Sequence, residues 1–276
     1  MQTSELDRRV PIVGEIAIAA GAAALQYYYD DQVAIAWKSA GNPVTAADHA
    51  ANETILTRLH QHFAGEAVLS EESQDDMSRL GRDLFWVVDP LDGTKEFIAR
   101  NGEFSIMIGM VLAGRPALGV VYQPATRKLY FGAPGLGAWL STSDGMQTLR
   151  VSDRTEPAQW RMVASRSHFD PRIDRVRQRL GIHEIRRSGS VGLKCGLIAA
   201  GECEVYIHPS SKVNMWDSCA PAAILLAAGG MMTDLRGEPL SYAAVEVRHR
   251  QGLVATHGRQ HEQVIAAILS ENVTSD

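Results

Sequence analysis

The segment Asp89-Pro90-Leu91-Asp92-Gly93-Thr94 constrains the fold and function of this chain more than any other. It follows Phe85-Trp86-Val87-Val88, an aromatic and β-branched run that predicts a buried strand. Pro90 cannot continue that strand with its hydrogen-bond ladder intact, whereas Gly93 permits a tight turn and Thr94 can open a helix. Two carboxylates at the exit of a buried strand require a counter-charge. The segment therefore predicts a place for a hard cation beside helix-start amides that can bind phosphate.

The alternative for this segment is a surface turn, because Asp-Gly is also a frequent hairpin dipeptide. A hairpin would use Asp92 and Gly93 but would not need Asp89. The acid before the proline therefore favours the metal and phosphate interpretation.

Length and charge narrow the function classes. A chain of 276 residues can bury a large core, in one large domain or two closely packed ones. The formal net charge of -5 argues against general nucleic-acid binding, which needs a basic face. It is compatible with a phosphorylated substrate, since bound divalent cations reverse the local sign. The cysteines show no CxxC spacing and cannot all be paired, which predicts a reducing, cytoplasmic compartment; they are Cys195, Cys203 and Cys219.

The apolar stretch over residues 10–29 resembles a signal or membrane segment in composition. Glu15 interrupts it, and the residues before it mix acids with Arg8 and Arg9. This pattern predicts an amphipathic N-terminal helix and no integral membrane segment, and it leaves peripheral membrane association open.

The rhythm of the chain changes near residue 150. Before it, strands separated by hairpin-type turns predict an antiparallel meander. These strands cover 104–112, 117–123, 128–132 and 137–141. After it, strands alternate with helices, which predicts an α/β arrangement with helices on both faces of a sheet. We therefore expect a mixed α/β and α+β fold, with an N-terminal α+β half (1–150) that holds most metal ligands and a C-terminal α/β half (151–276) that holds Asp217 and the substrate-recognition residues.

Acidic residues recur where the predicted elements end or begin. Glu71-Glu72 follows a predicted strand over 67–70, and Asp217 opens a helix predicted over 217–228. Taken alone, the glutamates suit a solvated loop and Asp217 suits a helix cap. Sites in α/β folds are assembled where strands end, so these acids and the 89–94 segment together predict one acidic site.

Three motifs, in this order and at these approximate separations, resemble the inositol monophosphatase superfamily of metal-dependent, lithium-sensitive phosphatases. They are Ser70-Glu71-Glu72-Ser73, Trp86-Val87-Val88-Asp89-Pro90-Leu91-Asp92-Gly93-Thr94 and Trp216-Asp217-Ser218-Cys219-Ala220. The resemblance runs from residue 10 to about residue 256. It implies a layered α-β-α-β-α sandwich of the inositol monophosphatase and fructose-bisphosphatase type.

Finer details resemble the 3′(2′),5′-bisphosphate nucleotidase branch of that superfamily. Lys95-Glu96-Phe97-Ile98 follows the Asp-Gly-Thr triplet, where inositol-preferring members usually have Thr-Asn-Phe. The other details are Asn42-Pro43-Val44-Thr45-Ala46-Ala47-Asp48, Asn101-Gly102-Glu103-Phe104 and Ser165-Arg166-Ser167-His168. This resemblance implies hydrolysis of the 3′-phosphate of adenosine 3′,5′-bisphosphate to AMP and phosphate, linked to sulfate assimilation. The alternative is an inositol monophosphatase or a phosphatase with broad sugar-phosphate tolerance.

The resemblance also implies roles for individual residues. The implied metal ligands are Glu71, Asp89, the Leu91 carbonyl, Asp92 and Asp217. This all-oxygen set suits Mg²⁺. Two ions would activate the attacking water and stabilise the leaving oxygen, as in two-metal displacement at phosphorus. Glu71 and Thr94 would orient the water, and Asp48 would polarise Thr94 or help to hold a third ion.

The implied substrate site overlaps the metal ligands. Its members are Glu71, Leu91, Asp92, Gly93, Thr94, Ser190, Lys194 and Asp217. Ser190 and Lys194 lie at the start of a helix predicted over 190–200 and are candidates for contact with the ribose or the 5′-phosphate. A solvated helix lysine is the alternative for Lys194.

The predicted partners are a small phosphorylated nucleotide and Mg²⁺, with no nucleic acid, and a homodimer is common in the superfamily. A function from another class is a binding or regulatory protein built on a phosphatase fold. The presence of every expected metal ligand and the lack of a basic patch in the sequence favour the enzyme.

Overall fold

The computed structural model describes residues 3–29, 35–39 and 42–275, which form seven α-helices and sixteen β-strands. The helices are α1 (Thr3–Tyr28), α2 (Ala46–His62), α3 (Thr94–Ile98), α4 (Arg172–Arg179), α5 (Val191–Ala199), α6 (Met215–Ala227) and α7 (His261–Ser270). The strands are β1 (Ile35–Ser39), β2 (Asn42–Thr45), β3 (Ala67–Ser70), β4 (Leu84–Asp92), β5 (Ser105–Leu112), β6 (Arg115–Gln123), β7 (Lys128–Ala133), β8 (Gly137–Thr142), β9 (Gly145–Thr148), β10 (Arg161–Ser165), β11 (Glu184–Ser188), β12 (Val205–His208), β13 (Val213–Asn214), β14 (Met231–Thr233), β15 (Arg248–His249) and β16 (Leu253–Thr256).

A seven-stranded sheet follows chain order from β3 to β9. β3 and β4 are parallel, and every later neighbouring pair is antiparallel, so the predicted meander is confirmed. The parallel pair aligns Ser70 with Val88. The acids that follow these two residues therefore emerge side by side at one edge of the sheet.

A five-stranded sheet has the order β11-β10-β12-β16-β14. β10 pairs in parallel with β11 and β12, whereas β16 runs antiparallel to β12 and β14. The predicted alternation of strands and helices is present, and the sheet is mixed. The two halves, 1–150 and 151–276, remain a prediction as domains, because α5 and α6 pack between the two sheets and belong to the core of both.

Helices and sheets stack in five layers, and the side chains of β5 show why. Ile106 and Ile108 join the core under α1 and α2, whereas Met107 between them joins the core around α5 and α6. This alternation is the period of a strand buried on both faces. α4 and α7 cover the far side of the five-stranded sheet through residues such as Val176 and Val264. The arrangement is the expected α-β-α-β-α sandwich.

The first helix packs one apolar face on the seven-stranded sheet. Its buried residues recur at helical spacing and are Val13, Ile16, Ala17, Ala20 and Ala24. Within the described residues, Glu5–Tyr28 is long and apolar enough to cross a membrane, a test that core helices of other proteins also pass. The predicted amphipathic N-terminal helix is confirmed, and it begins earlier than expected.

Ahead of α2, strand β2 pairs with β1 in an antiparallel ladder. One expectation about a helix end is wrong. The helix predicted over 217–228 begins at Met215, because Asn214 provides its cap. Asp217 therefore lies inside the first turn of α6 rather than ahead of it.

Candidate functional site

A β-bulge near the end of β4 places the two aspartates of the Asp-Pro-Leu-Asp segment. Asp89 pairs with Met107 and Asp92 pairs with Ser105, so β4 contains one extra residue between the two pairs. Such a bulge bends the strand and redirects its side chains. Pro90, which has no amide hydrogen to donate, lies in this irregular stretch. The strand therefore continues beyond its predicted end.

Three carboxylates meet beyond this bulge. Ligand oxygens of Asp89, Asp92 and Asp217 all lie within 4.8 Å of one another. Burial, followed by repulsion from Glu71, raises the pKa of Asp89 well above its usual value, and the same causes raise the pKa of Asp217. Glu71 is thus close enough to act on both aspartates. The structure brings three of the four predicted acidic ligands into one cluster, and the charge of Glu71 acts on two of them.

The donor set fits a hard divalent cation. It consists of carboxylate oxygens, which Mg²⁺ prefers. Buried carboxylates at this separation repel one another, and a divalent ion would compensate the charge that raises the pKa values of Asp89 and Asp217. The role of each ligand, including the Leu91 carbonyl, and the number of ions remain predictions.

Gly93 joins the cluster to α3. It has a φ of 99° and a ψ of 44°, in the left-handed region that favours glycine, and it caps the start of the helix. A Cβ at this position would lie 3.1 Å from the carbonyl oxygen of Glu103. The close approach of two backbone segments therefore adds a second reason for glycine here.

Thr94 links this turn to α2 through Asp48. The Oγ1 of Thr94 lies 3.2 Å from Asp48 Oδ1 and 3.5 Å from the Leu91 carbonyl oxygen. The other oxygen of Asp48 accepts hydrogen bonds from the amide of Thr45, at 2.8 Å, and from its hydroxyl, at 2.7 Å. These bonds form a capping box at the start of α2. The predicted pairing of Asp48 with Thr94 is therefore present, while its catalytic role stays a prediction.

Asp217 contributes to the cap of its helix. The amide of Asn214 donates to Asp217 Oδ2 at 2.6 Å, and the two residues form a capping box at the start of α6. A carboxylate has two oxygens, so capping leaves the second one available to a cation. The cap and the predicted metal ligand are thus compatible.

Ser190 and Lys194 lie behind Asp92. Asp92 Oδ2 accepts a hydrogen bond of 2.5 Å from the Ser190 hydroxyl and one of 3.0 Å from the Gly192 amide. Lys194 is 3% exposed and donates to the Ser190 carbonyl at 2.5 Å. Burial lowers its pKa, and the negative charge of Asp92 offsets only part of that effect. The solvated-lysine alternative is therefore wrong. Contact of Ser190 and Lys194 with a ribose or a 5′-phosphate stays a prediction.

A seam of contacts joins the nucleotidase-like motifs to one another across the two sheets. The pairs are Lys95 with His168 (2.7 Å), Glu96 with Ser167 (2.5 Å) and Glu103 with Arg166 (two bonds of 2.6 Å). Glu103 also accepts the Gly189 amide at 2.7 Å, one residue before Ser190. Motifs that are far apart in the sequence therefore meet beside the Gly93–Thr94 turn.

Two residues that hold the loop after β3 are not among the predicted site residues. Arg79 is 3% exposed and donates to the Ala244 carbonyl at 2.8 Å, so the stretch 73–82 contains a buried anchor. Its partner is a backbone carbonyl far along the chain, which no sequence pattern marks. Asn52 is the other residue, and its position four residues after Asp48 on one helix face was a usable signal.

Comparison with known proteins agrees with this geometry. The model of the inositol monophosphatase family matches residues 6–273. The 3′(2′),5′-bisphosphate nucleotidase CysQ of Escherichia coli K12 is 38% identical over 236 residues, which are 85% of this chain and 94% of that protein.

Two solved structures share the fold over most of the chain. CysQ from Bacteroides thetaiotaomicron has a TM-score of 0.75 at 32% identity, covering 89% of this chain and 95% of that one. An inositol monophosphatase from Anabaena sp. PCC 7120 has a TM-score of 0.77 at 28% identity, covering 96% and 97%. With the family model matched almost from end to end, this chain belongs to the inositol monophosphatase family.

Proposed function

We propose that this protein is a Mg²⁺-dependent phosphomonoesterase that hydrolyses the 3′-phosphate of adenosine 3′,5′-bisphosphate to AMP and phosphate. The observation that carries the proposal is the cluster of Asp89, Asp92 and Asp217 beside the Gly93–Thr94 turn. The nucleotidase name of a relative that covers most of the chain supports the nucleotide as substrate. A cytoplasmic homodimer that serves sulfate assimilation belongs to the same proposal.

The residues of the site would orient the reaction. Mg²⁺ would supply a Lewis acid and lower the pKa of water. The Thr94 hydroxyl directs its proton to Asp48, so its lone pairs can accept a hydrogen bond from the attacking water. Asp48 keeps that direction because Thr45 holds its other oxygen. Glu71, whose charge already acts on Asp89, would take the proton of the water.

The turn would also hold the substrate. The amides of Gly93 and Thr94 would bind phosphate oxygens at the start of α3 and stabilise charge that develops during displacement. Ser190 and Lys194 would contact the ribose or the 5′-phosphate. Lys95, which contacts His168 at 2.7 Å, belongs to the motif that favours a nucleotide over inositol.

Phosphate release from three substrates tests the proposal. We expect the highest kcat/KM with adenosine 3′,5′-bisphosphate, compared with inositol 1-phosphate and fructose 1,6-bisphosphate. A much higher value with either of the others would favour the second candidate, an inositol or broad sugar-phosphate phosphatase, which the similarity to the Anabaena structure supports. Asp92→Asn should abolish turnover in a folded protein. Retained cellular function of that variant would favour a binding protein, and activity that survives exhaustive chelation would refute the metal.

A further inference from the structure

The turn that carries Glu71 is fixed to the sheet through its backbone. The amide of Glu71 donates to the Val88 carbonyl at 3.1 Å, and the amide of Ser73 donates to the Ser70 carbonyl at 3.3 Å. Val88 immediately precedes Asp89. The backbone of Glu71 is thus attached directly to the strand that leads into the acidic cluster.

The side chain of Asn52 fixes the same turn to α2. The Ser70 hydroxyl donates to Asn52 Oδ1 at 2.6 Å, and Asn52 Nδ2 donates to the Ser73 hydroxyl at 3.1 Å. Asn52 is 8% exposed and Ser70 is 3% exposed, so water competes little for the bond between them. One amide group therefore bridges the residues on either side of Glu71-Glu72.

Helix α2 is a firm base for this bridge. Ala51 and Ile55, which flank Asn52 on the helix, are fully buried against the core. Asp48 lies one turn earlier on the same face and contacts Thr94. The helix thus makes one contact with the phosphate turn and one with the turn of Glu71, and so fixes the two turns relative to each other.

We propose that Asn52 is a positioning residue for the metal centre, which holds Glu71 toward Asp89 and Asp217 by bridging Ser70 and Ser73. The inference rests on the proposed function, in which Glu71 is a Mg²⁺ ligand. Without the bridge, the turn keeps its backbone bonds but loses the contacts of Asn52 with Ser70 and Ser73. Binding of Mg²⁺ must then order Glu71 as well, and loss of such orienting contacts weakens metal binding by about 10–100-fold.

The test is Mg²⁺ binding to the substrate-free protein, measured by isothermal titration calorimetry. We expect Asn52→Ala to raise the Kd about tenfold and Ser73→Ala to raise it less, because the Ser70 bond remains. The double variant should not exceed Asn52→Ala, since both changes remove the same contact. Ser73→Thr, which keeps the hydroxyl, should restore the wild-type Kd.

Thr54→Ala is the matched control. Thr54 lies on the same helix, and its hydroxyl donates to the Ala50 carbonyl at 2.9 Å, within the helix itself. Its loss should leave the Kd unchanged. Melting temperatures in chelator show whether each variant is folded at the temperature of the titration.

The outcomes separate the two proposals. Failure of the wild-type protein to bind Mg²⁺ would overturn the metal-dependent function, and the role of Asn52 with it. A wild-type protein that binds Mg²⁺, with an Asn52→Ala variant of equal Kd, would overturn only the positioning role. Additive effects of Asn52→Ala and Ser73→Ala would overturn it too. If Asn52→Ala does not fold, Ser73→Ala against Ser73→Thr decides, because Ser73 is exposed.

Discussion

Replacement of Gly119 by alanine tests how tightly the helix of Asp217 packs on the larger sheet. Gly109 and Gly119 are paired across β5 and β6 and lie under the start of α6. A Cβ on Gly119 would lie 2.0 Å from the Ala220 carbonyl oxygen, and one on Gly109 would lie 2.6 Å from the Cys219 sulfur. The two glycines therefore let the helix backbone lie directly on the sheet.

The clash sets the size of the expected effect. Real Cβ contacts essentially never fall under 3.0 Å, so α6 and β6 must separate by about 1 Å in Gly119→Ala. Overpacking costs about 1–3 kcal/mol, and we expect the upper end because the contact is with backbone rather than with a flexible side chain. Asp217 is in the same helix as Ala220 and shifts with it. A displacement of about 1 Å at a reacting centre lowers the rate about 100-fold.

Urea unfolding and kcat/KM measure the two effects separately. Gly14→Ala is the control, because its Cβ would meet Leu129 at an ordinary 3.4 Å and alanine is favoured inside a helix. The control should be as stable as the wild type or slightly more stable, with unchanged activity. A Gly119→Ala protein with wild-type stability would refute the packing argument. Lost stability with full activity would refute the link between α6 and the site.

Three other predictions concern titration, a buried cation and the metal. Burial lowers the pKa of His261 to about 4, below the value of about 6.5 in the unfolded chain. The folded protein therefore favours the neutral imidazole, and the stability gained from this preference is present at neutral pH and is lost as the pH falls. Urea unfolding should show a loss of about 2 kcal/mol from this group between pH 7 and pH 5, absent in His261→Gln. Lys194→Met should lower the free energy of unfolding in a thermal or urea experiment, because the buried Asp92 then loses a positive charge that favours its ionised form. At a Mg²⁺ concentration of about 100 times the Kd, the free energy of unfolding should be about 2.7 kcal/mol higher than that of the protein in chelator. Asp92→Asn should reduce this gain.

Most strands and helices could be predicted because each has a burial pattern that its own residues encode. After Ser105, β5 contains only apolar residues and Gly109, which reflects burial on both faces, and the turns on either side set its ends. The position of the acids was also predictable, since Glu71 and Asp89 follow the ends of neighbouring strands. The parallel pairing of β3 with β4 then brings them together.

What the sequence did not reveal depends on contacts between distant segments. The burial of Lys194 follows from the place of α5 between two sheets, and the lysine itself gives no sign of it. Arg79 likewise looks like a solvated arginine until its backbone acceptors, Ala244 and Val245, are known. Local patterns specify elements, whereas the partners of buried polar groups are set by the assembled layers.

The three aspartates of the cluster share one restraint that explains how the fold can keep them together. Each accepts a hydrogen bond from a backbone amide: Leu91 to Asp89 (3.0 Å), Gly192 to Asp92 (3.0 Å) and Asn214 to Asp217 (2.6 Å). An amide donor favours the ionised carboxylate and fixes one of its oxygens, so it opposes the effect of burial and mutual repulsion. The donors come from the bulge of β4, the start of α5 and the start of α6, which belong to the strand and helix layers around the site. Because these donors are backbone groups, the orientation of the aspartates depends on the packing of those layers, and for Asp92 also on the Ser190 hydroxyl.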